Sequence, residues 1–176
     1  TGGYFLYDGS NITAKLGAGS VYVTGESVLN GTADVSSITI GNTMGDISRL
    51  TVNGGNLLTA APEVRLYEHG ELDLRGDQTI GGLIGSGGAV ALWNHTLTID
   101  DAAGASDIYS GTIGGAGSFV KKGAGVFATT GDLTYTGSTA VQAGQLIVVG
   151  SLASTQISVG DGALLVDRHR RGILRP

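Results

Sequence analysis

Apolar and polar residues alternate along this chain with a period of two. Val21-Tyr22-Val23-Thr24-Gly25, Ile38-Thr39-Ile40-Gly41, Leu50-Thr51-Val52-Asn53-Gly54 and Leu72-Asp73-Leu74-Arg75-Gly76 share one outline. Leu97-Thr98-Ile99-Asp100, Leu146-Ile147-Val148 and Ile157-Ser158-Val159-Gly160 continue it. Each puts two apolar side chains on one face with another residue between them, which predicts a half-buried strand. Helical spacing is hard to find. Strands this short are not stable alone, so many must pair with neighbours. The recurring unit, apolar-x-apolar followed by glycine, is spaced irregularly: 17 residues from Val21 to Ile38, 12 more to Leu50 and 22 more to Leu72.

Composition narrows the choice. Of 176 residues, 32 are glycine and two are proline. Glycine permits positive φ and disfavours helix interiors, so apolar runs in such a chain become strands joined by tight turns. Two architectures fit, an antiparallel sandwich or barrel and a solenoid of parallel strands. Asn30-Gly31, Asn53-Gly54 and Asp161-Gly162 are compatible with hairpins. Recurrence of one unit favours the solenoid. At about 20–25 residues per coil the chain makes roughly eight coils stacked ~4.8 Å apart, with columns of Leu, Ile and Val inside. Outside, ladders of Thr, Ser, Asn and Asp are expected. Only 14% of residues are charged, which suits a stack in which like charges would sit on top of one another.

The formal net charge is −5. Residues 168–176 hold four of the ten basic side chains, leaving a body with six basic and fifteen acidic groups. Such a body lacks the electrostatic footprint of a nucleic-acid binder and does not favour anionic lipid. No apolar run reaches the ~18–20 residues of a membrane-spanning helix, so direct insertion of this segment is not expected. Cysteine is absent, which fits a reducing compartment and equally a protein threaded unfolded across a membrane. The chain opens on Thr1-Gly2-Gly3 without a signal peptide, which reads as an internal fragment or a mature product.

Candidate chemistry is sparse. Glu63, Arg65, Tyr67, Glu68, His69, Glu71, Asp73 and Arg75 form the one charge-dense stretch. It is where a polysaccharide lyase built on a β-helix would group its acids and bases, with Glu68 and Glu71 as test positions. A solvated face with cross-strand ion pairs is the preferred reading. The adjacent Asp100-Asp101 reads as a turn after a strand, its two side chains pointing to opposite faces. His69, His95 and His169 are scattered, so neither a metal nor a cofactor is expected. Asn11-Ile-Thr13, Asn30-Gly-Thr32 and Asn94-His-Thr96 are sequons that arise by chance in a Thr-rich chain. Trp93 and Phe119 are expected in the core or stacked at an end.

Residues 111–150 carry the most specific pattern. Gly115, Gly117, Phe119, Lys121, Gly123 and Gly125 form its first part. Thr134, Tyr135, Thr136, Gly137, Thr139, Val141, Gly144, Leu146 and Val148 form its second. This resembles the autotransporter-associated β-strand repeat of bacterial type V secreted proteins. Ala128-Thr129 stands where the repeat has Thr-Leu, weakening one inward position, and Leu133 stands where it has Asn. The resemblance implies a right-handed parallel β-helix in an autotransporter passenger. Such a passenger reaches the cell surface, or is released, through the periplasm and its own outer-membrane β-barrel translocator. It also implies an autochaperone role for 111–150, a stable part that folds first and templates the rest of the passenger in a virulence factor. An adhesin stalk touching host proteins, including actin-recruiting machinery, is the alternative. The expected organisation is a single β-helix over 1–167 and a basic tail over 168–176, read as a linker, cloning scar or dibasic processing site.

Overall fold

The computed structural model describes residues 2–154, 156–168 and 172–174. Among them the secondary structure is all strand and turn, in three sheets. The ten-stranded sheet holds β1 (Gly2–Leu6), β3 (Gly19–Val23), β5 (Ser37–Ile40), β7 (Glu63–Leu66), β10 (Gly82–Gly85), β13 (Ser106–Tyr109), β16 (Val126–Thr129), β18 (Gln145–Val148), β20 (Leu164–Asp167) and β21 (Gly172–Leu174). The six-stranded sheet holds β2 (Ser10–Ile12), β4 (Glu26–Leu29), β6 (Ser48–Val52), β8 (Gly70–Leu74), β11 (Ala89–Ala91) and β14 (Thr112–Gly114). The five-stranded sheet holds β9 (Gln78–Ile80), β12 (Thr96–Ile99), β15 (Ser118–Lys121), β17 (Thr139–Val141) and β19 (Ile157–Val159). Single bridges extend the faces where strands lapse: Ile113–Leu133–Leu152 prolongs the six-stranded sheet, and Leu16–Ala33–Leu58 lines the third face of the early turns.

Strands within each sheet pair in parallel with the strand one turn later, except β20 with β21. The chain therefore winds through the three faces in turn, about nine times. The expected parallel solenoid is the observed fold, and the antiparallel sandwich is excluded. Turn length varies because the corners vary. Hydrogen-bonded positions one turn apart are separated by 17 residues at Ser20–Ser37, 26 at Ala33–Thr59, 24 at Leu83–Asp107 and 19 at Asp132–Ser151. This spread explains why no fixed period shows in the sequence.

Each alternating pair faces as its pattern predicts. Val21 and Val23, Ile38 and Ile40, Leu50 and Val52, Leu72 and Leu74, Leu97 and Ile99, and Leu146 and Val148 are buried. Ile157 and Val159, in the last strand of the five-stranded sheet, are half-buried. Registered strands turn these pairs into columns, and each fully buried aliphatic side chain contributes roughly 1.5–3 kcal/mol of transfer free energy. An aromatic layer fills the later turns. Phe119 lies 5.7 Å from Phe127 and 6.1 Å from Tyr135, centroid to centroid. The Tyr135 hydroxyl is 2.6 Å from Thr139 Oγ1, and the Tyr109 hydroxyl donates to the Thr112 carbonyl at 3.3 Å. Burial pushes both phenols above their ordinary range.

The ladders expected outside are present. Asn30 donates to Asn11 and Asn53 donates to Asn30, each at 2.7 Å, so two of the sequon asparagines belong to one amide ladder. Ser20–Ser37, Ser118–Ser138 and Ser110–Thr130 form hydroxyl rungs. One expectation is corrected. Phe119 is in the core, but Trp93 is half exposed, at a corner where its φ is 51°. At the other end of the chain, Arg168 donates its amide to Val148 and Gly172–Leu174 pairs antiparallel with β20. The remainder of the basic tail, His169–Arg171 and Arg175–Pro176, lies outside the described residues, as does Thr1.

Candidate functional site

The repeat motif converges on one corner. Lys121 is the last residue of β15, and alternation turns its side chain inward. It occupies a column that otherwise reads Ile80, Ile99, Val141 and Val159. An ammonium there must find charge and hydrogen bonds inside the protein, since burying it bare costs several kcal/mol. It finds them at the corner beside its own strand. Lys121 Nζ donates to Asp101 Oδ1 of the turn before at 2.5 Å, to the carbonyl of Gly123 in its own turn, and to the Ala143 carbonyl of the turn after at 3.5 Å. Both charged side chains are fully buried. Three successive turns are thereby joined at one atom.

The glycines of the motif make room for this corner. A Cβ on Gly123 would overlap the Asp101 backbone, and one on Gly125 would sit 2.9 Å from the Asp101 carboxylate. Gly144 has φ 64° and rests on the Gly125 carbonyl. Gly117 and Gly137 form a second column, Gly137 packing on the Gly117 carbonyl. Gly115, at φ 122°, would meet the Trp93 backbone. The other marked residues lie inside the tower: Leu146 in the first sheet's column and Tyr135 in the aromatic layer. Lys121, Gly123, Gly125 and Gly144 therefore come together, while Gly115, Gly117 and Gly137 mark the neighbouring corner. Thr129, at the position expected to be weak, is inward and buried, its hydroxyl turned to the Gly131 carbonyl.

Sequence reasoning missed Asp101 as the partner of Lys121. A signal existed: Asp100-Asp101 and Lys121-Lys122 sit one turn apart. Asp100 pairs with Lys122 outside at 2.9 Å while Asp101 pairs with Lys121 inside, so the two aspartates do face opposite ways. A second inward carboxylate was also missed. Asp107 interrupts the column Val21–Ile38–Val64–Leu83–Phe127, and its Oδ2 accepts the Leu83 amide at 3.1 Å. Burial pushes its carboxyl above the usual range, with the Leu83 hydrogen bond pulling the other way. Gln78 does comparable work: its Oε1 accepts the amides of Leu57 and Leu58 where the longest turn lacks strand pairing.

The charge-dense stretch does not assemble as one group. Glu63 and Arg65 lie on β7 of the ten-stranded sheet and pair with each other at 3.7 Å. Glu71 and Asp73 lie on β8 of the six-stranded sheet. There Glu26, Arg49 and Glu71 form a cross-strand ladder with ion pairs of 3.4 and 2.8 Å, and the bond to Glu71 raises the Arg49 guanidinium further above its ordinary value. Arg75 pairs with Asp73 at 3.0 Å. The cations of this stretch are thus engaged by carboxylates. Among the described residues no three His, Asp or Glu side chains group as a metal site, and no helix is long and apolar enough to cross a membrane.

About nine stacked turns among the described residues, with parallel registers, glycine corners and a largely apolar core, define a parallel β-solenoid. The chain is 32% identical over 187 residues to the Adhesin BmaC autotransporter of Brucella suis biovar 1 (strain 1330). That alignment takes in 93% of this chain and spans 5% of the length of that protein. No family profile matches the chain, and no solved structure matches it.

Proposed function

We propose that the chain is a segment of an autotransporter passenger, held outside the bacterial outer membrane, where it serves as a non-catalytic, adhesin-like stalk. The observation that carries this reading is the similarity to an adhesin autotransporter along nearly the whole chain, joined to a solenoid fold that extends by adding turns. Its partners are the rest of the passenger and the outer-membrane barrel that exports it. The reading is tested in the parent protein. Antibody to this segment should label intact cells, and external protease should remove the label. A segment reached only after lysis would overturn the proposal.

Within it, residues 111–150 act as a folding template, the autochaperone reading. What supports this is the concentration of large buried side chains and a buried ion pair in this segment. The packed rings of Phe119, Phe127 and Tyr135 and the Lys121 corner fall in consecutive turns. In a solenoid, folding nucleates where a turn and its neighbours are most stable and spreads by stacking. Deletion of 111–150 from the parent should abolish surface display of everything else in the passenger. Normal display after that deletion rejects the template role and leaves the stalk reading standing.

A further inference from the structure

Trp93 is the single tryptophan of the chain, and it is held in place rather than buried. Its φ of 51° is in the left-handed region, uncommon outside glycine and costly for a bulky residue. Two contacts fix it there, and a third bond holds its partner. Its Nε1–H donates to Asp73 Oδ1 at 2.6 Å. Asp73, itself 4% exposed, is anchored in turn by Arg75, whose Nε and terminal nitrogen donate to Oδ2. The Arg75 guanidinium lies over the indole, 4.0 Å from its centroid. Arg75, one turn earlier, thus covers one side of the ring. The turn after Trp93 brings Gly114-Gly115-Ala116 to the same corner, which is nearly bare of side chains. A depression of about 540 Å3 results, lined by Ala91, Trp93, Asn94, Gly114, Gly115 and Ala116. Trp93, half exposed to solvent, is part of its wall.

We infer that this corner is a saccharide-binding platform, taking one pyranose ring of a neutral glycan flat against Trp93, with its hydroxyls left at the rim where Asn94 lies. The depression is open to solvent beside the indole. Its lining carries no charge. The neighbouring cation is spent on Asp73, so no free positive group waits for a phosphate or sulfate. A cationic ligand would face the Arg75 guanidinium across the indole. The apolar C–H face of a pyranose meets the π face of the indole, while its hydroxyls stay in water or on the rim, the division of labour usual in small-ligand sites. Fixing the indole beforehand removes an ordering cost from binding. The site stands on this geometry and does not depend on the passenger reading.

The experiment uses the intact 176-residue chain and the fluorescence of its one tryptophan. Methyl glycosides of glucose, galactose and N-acetylglucosamine are titrated to about 50 mM, enough to saturate a site with a Kd of order 1 mM. At least one should shift the emission and saturate, and saturation-transfer NMR should place one face of its ring nearest the protein. Ala116→Leu fills the depression while leaving the Trp93 side chain and its Asp73 and Arg75 contacts unsubstituted, and should weaken binding by about tenfold or more, equivalent to ~1.4 kcal/mol. Trp93→Ala, read by NMR alone, should abolish the transfer. Failure of the whole panel overturns the inference. So does saturable binding of N-acetyl-phenylalanine amide without saccharide binding, which would make the corner a peptide site. Saccharide binding unchanged in both variants places it elsewhere and also overturns the assignment.

Discussion

Lys121 and Asp101 meet at 2.5 Å, one turn apart, with neither side chain reaching solvent. Asp101 Oδ2 has no hydrogen-bond partner among the described residues, so its charge is answered chiefly through Oδ1. A buried pair of this kind is weak evidence for net stability, but breaking it on one side is costly. Lys121→Met should destabilise the surrounding turns by about 3–5 kcal/mol. Adding Asp101→Asn should recover part of the loss. Because a solenoid need not unfold in one step, hydrogen exchange of residues 99–145 is the measurement, alongside denaturant midpoints. Additive effects of the two substitutions would show that the charges do not depend on each other.

Asp107 gives the fold a pH dependence of definite sign. Its folded-state carboxyl titrates above the ordinary value of 3.8, so the fold favours the protonated acid. The stability it contributes is complete below 3.8 and is lost as pH rises through the folded-state value. Asp107→Asn keeps an acceptor for the Leu83 amide and removes the buried charge. The variant should melt higher than the parent at neutral pH, with the gap closing on acidification. A parent that equals or exceeds the variant at neutral pH contradicts this account.

Substitution at the glycine corners should separate by contact rather than by conformation. Gly123→Ala places a methyl group into the Asp101 backbone and should disrupt stacking of that turn. Gly55→Ala meets nothing closer than 3.8 Å and should leave the melting temperature within a degree or so. Far-UV circular dichroism during thermal melts distinguishes them. Equal effects would mean the corners are looser than the packing indicates.

Interior and surface contributions should differ as strongly. Phe119→Ala removes the centre of the aromatic layer and should cost about 3–5 kcal/mol. Arg49→Ala breaks the Glu26–Arg49–Glu71 ladder, whose members are partly exposed, and should cost at most about 1 kcal/mol, shrinking further with added salt. Urea titrations at low and high ionic strength check both.

Much of this molecule was readable beforehand, because strand alternation is local. Leu72 and Leu74 face inward whatever the length of the turn that follows, so pairs such as these disclosed the core. The ladders followed from stacking alone. What escaped was long-range register. Nothing local says that Asp101 lies under Lys121, or that Asp107 interrupts a column of aliphatics, because turn lengths differ at the intervening corners. Trp93 was misplaced for a related reason. An aromatic residue in a Gly-rich chain reads as core, and only the bare Gly114–Ala116 turn beside it leaves the ring at the surface. The role of Lys121 in the motif was likewise not legible, since its partner lies one turn away at Asp101.

The parallel strand pairings, which run from one turn to the next, also decide how such a tower meets force. Tension applied between its ends pulls along the ladder bonds, so turns separate in sequence, each rupture paying out one short loop of chain. A stalk made this way yields stepwise under load, and where Lys121 bonds to turns on both sides, the step should need the greatest pull.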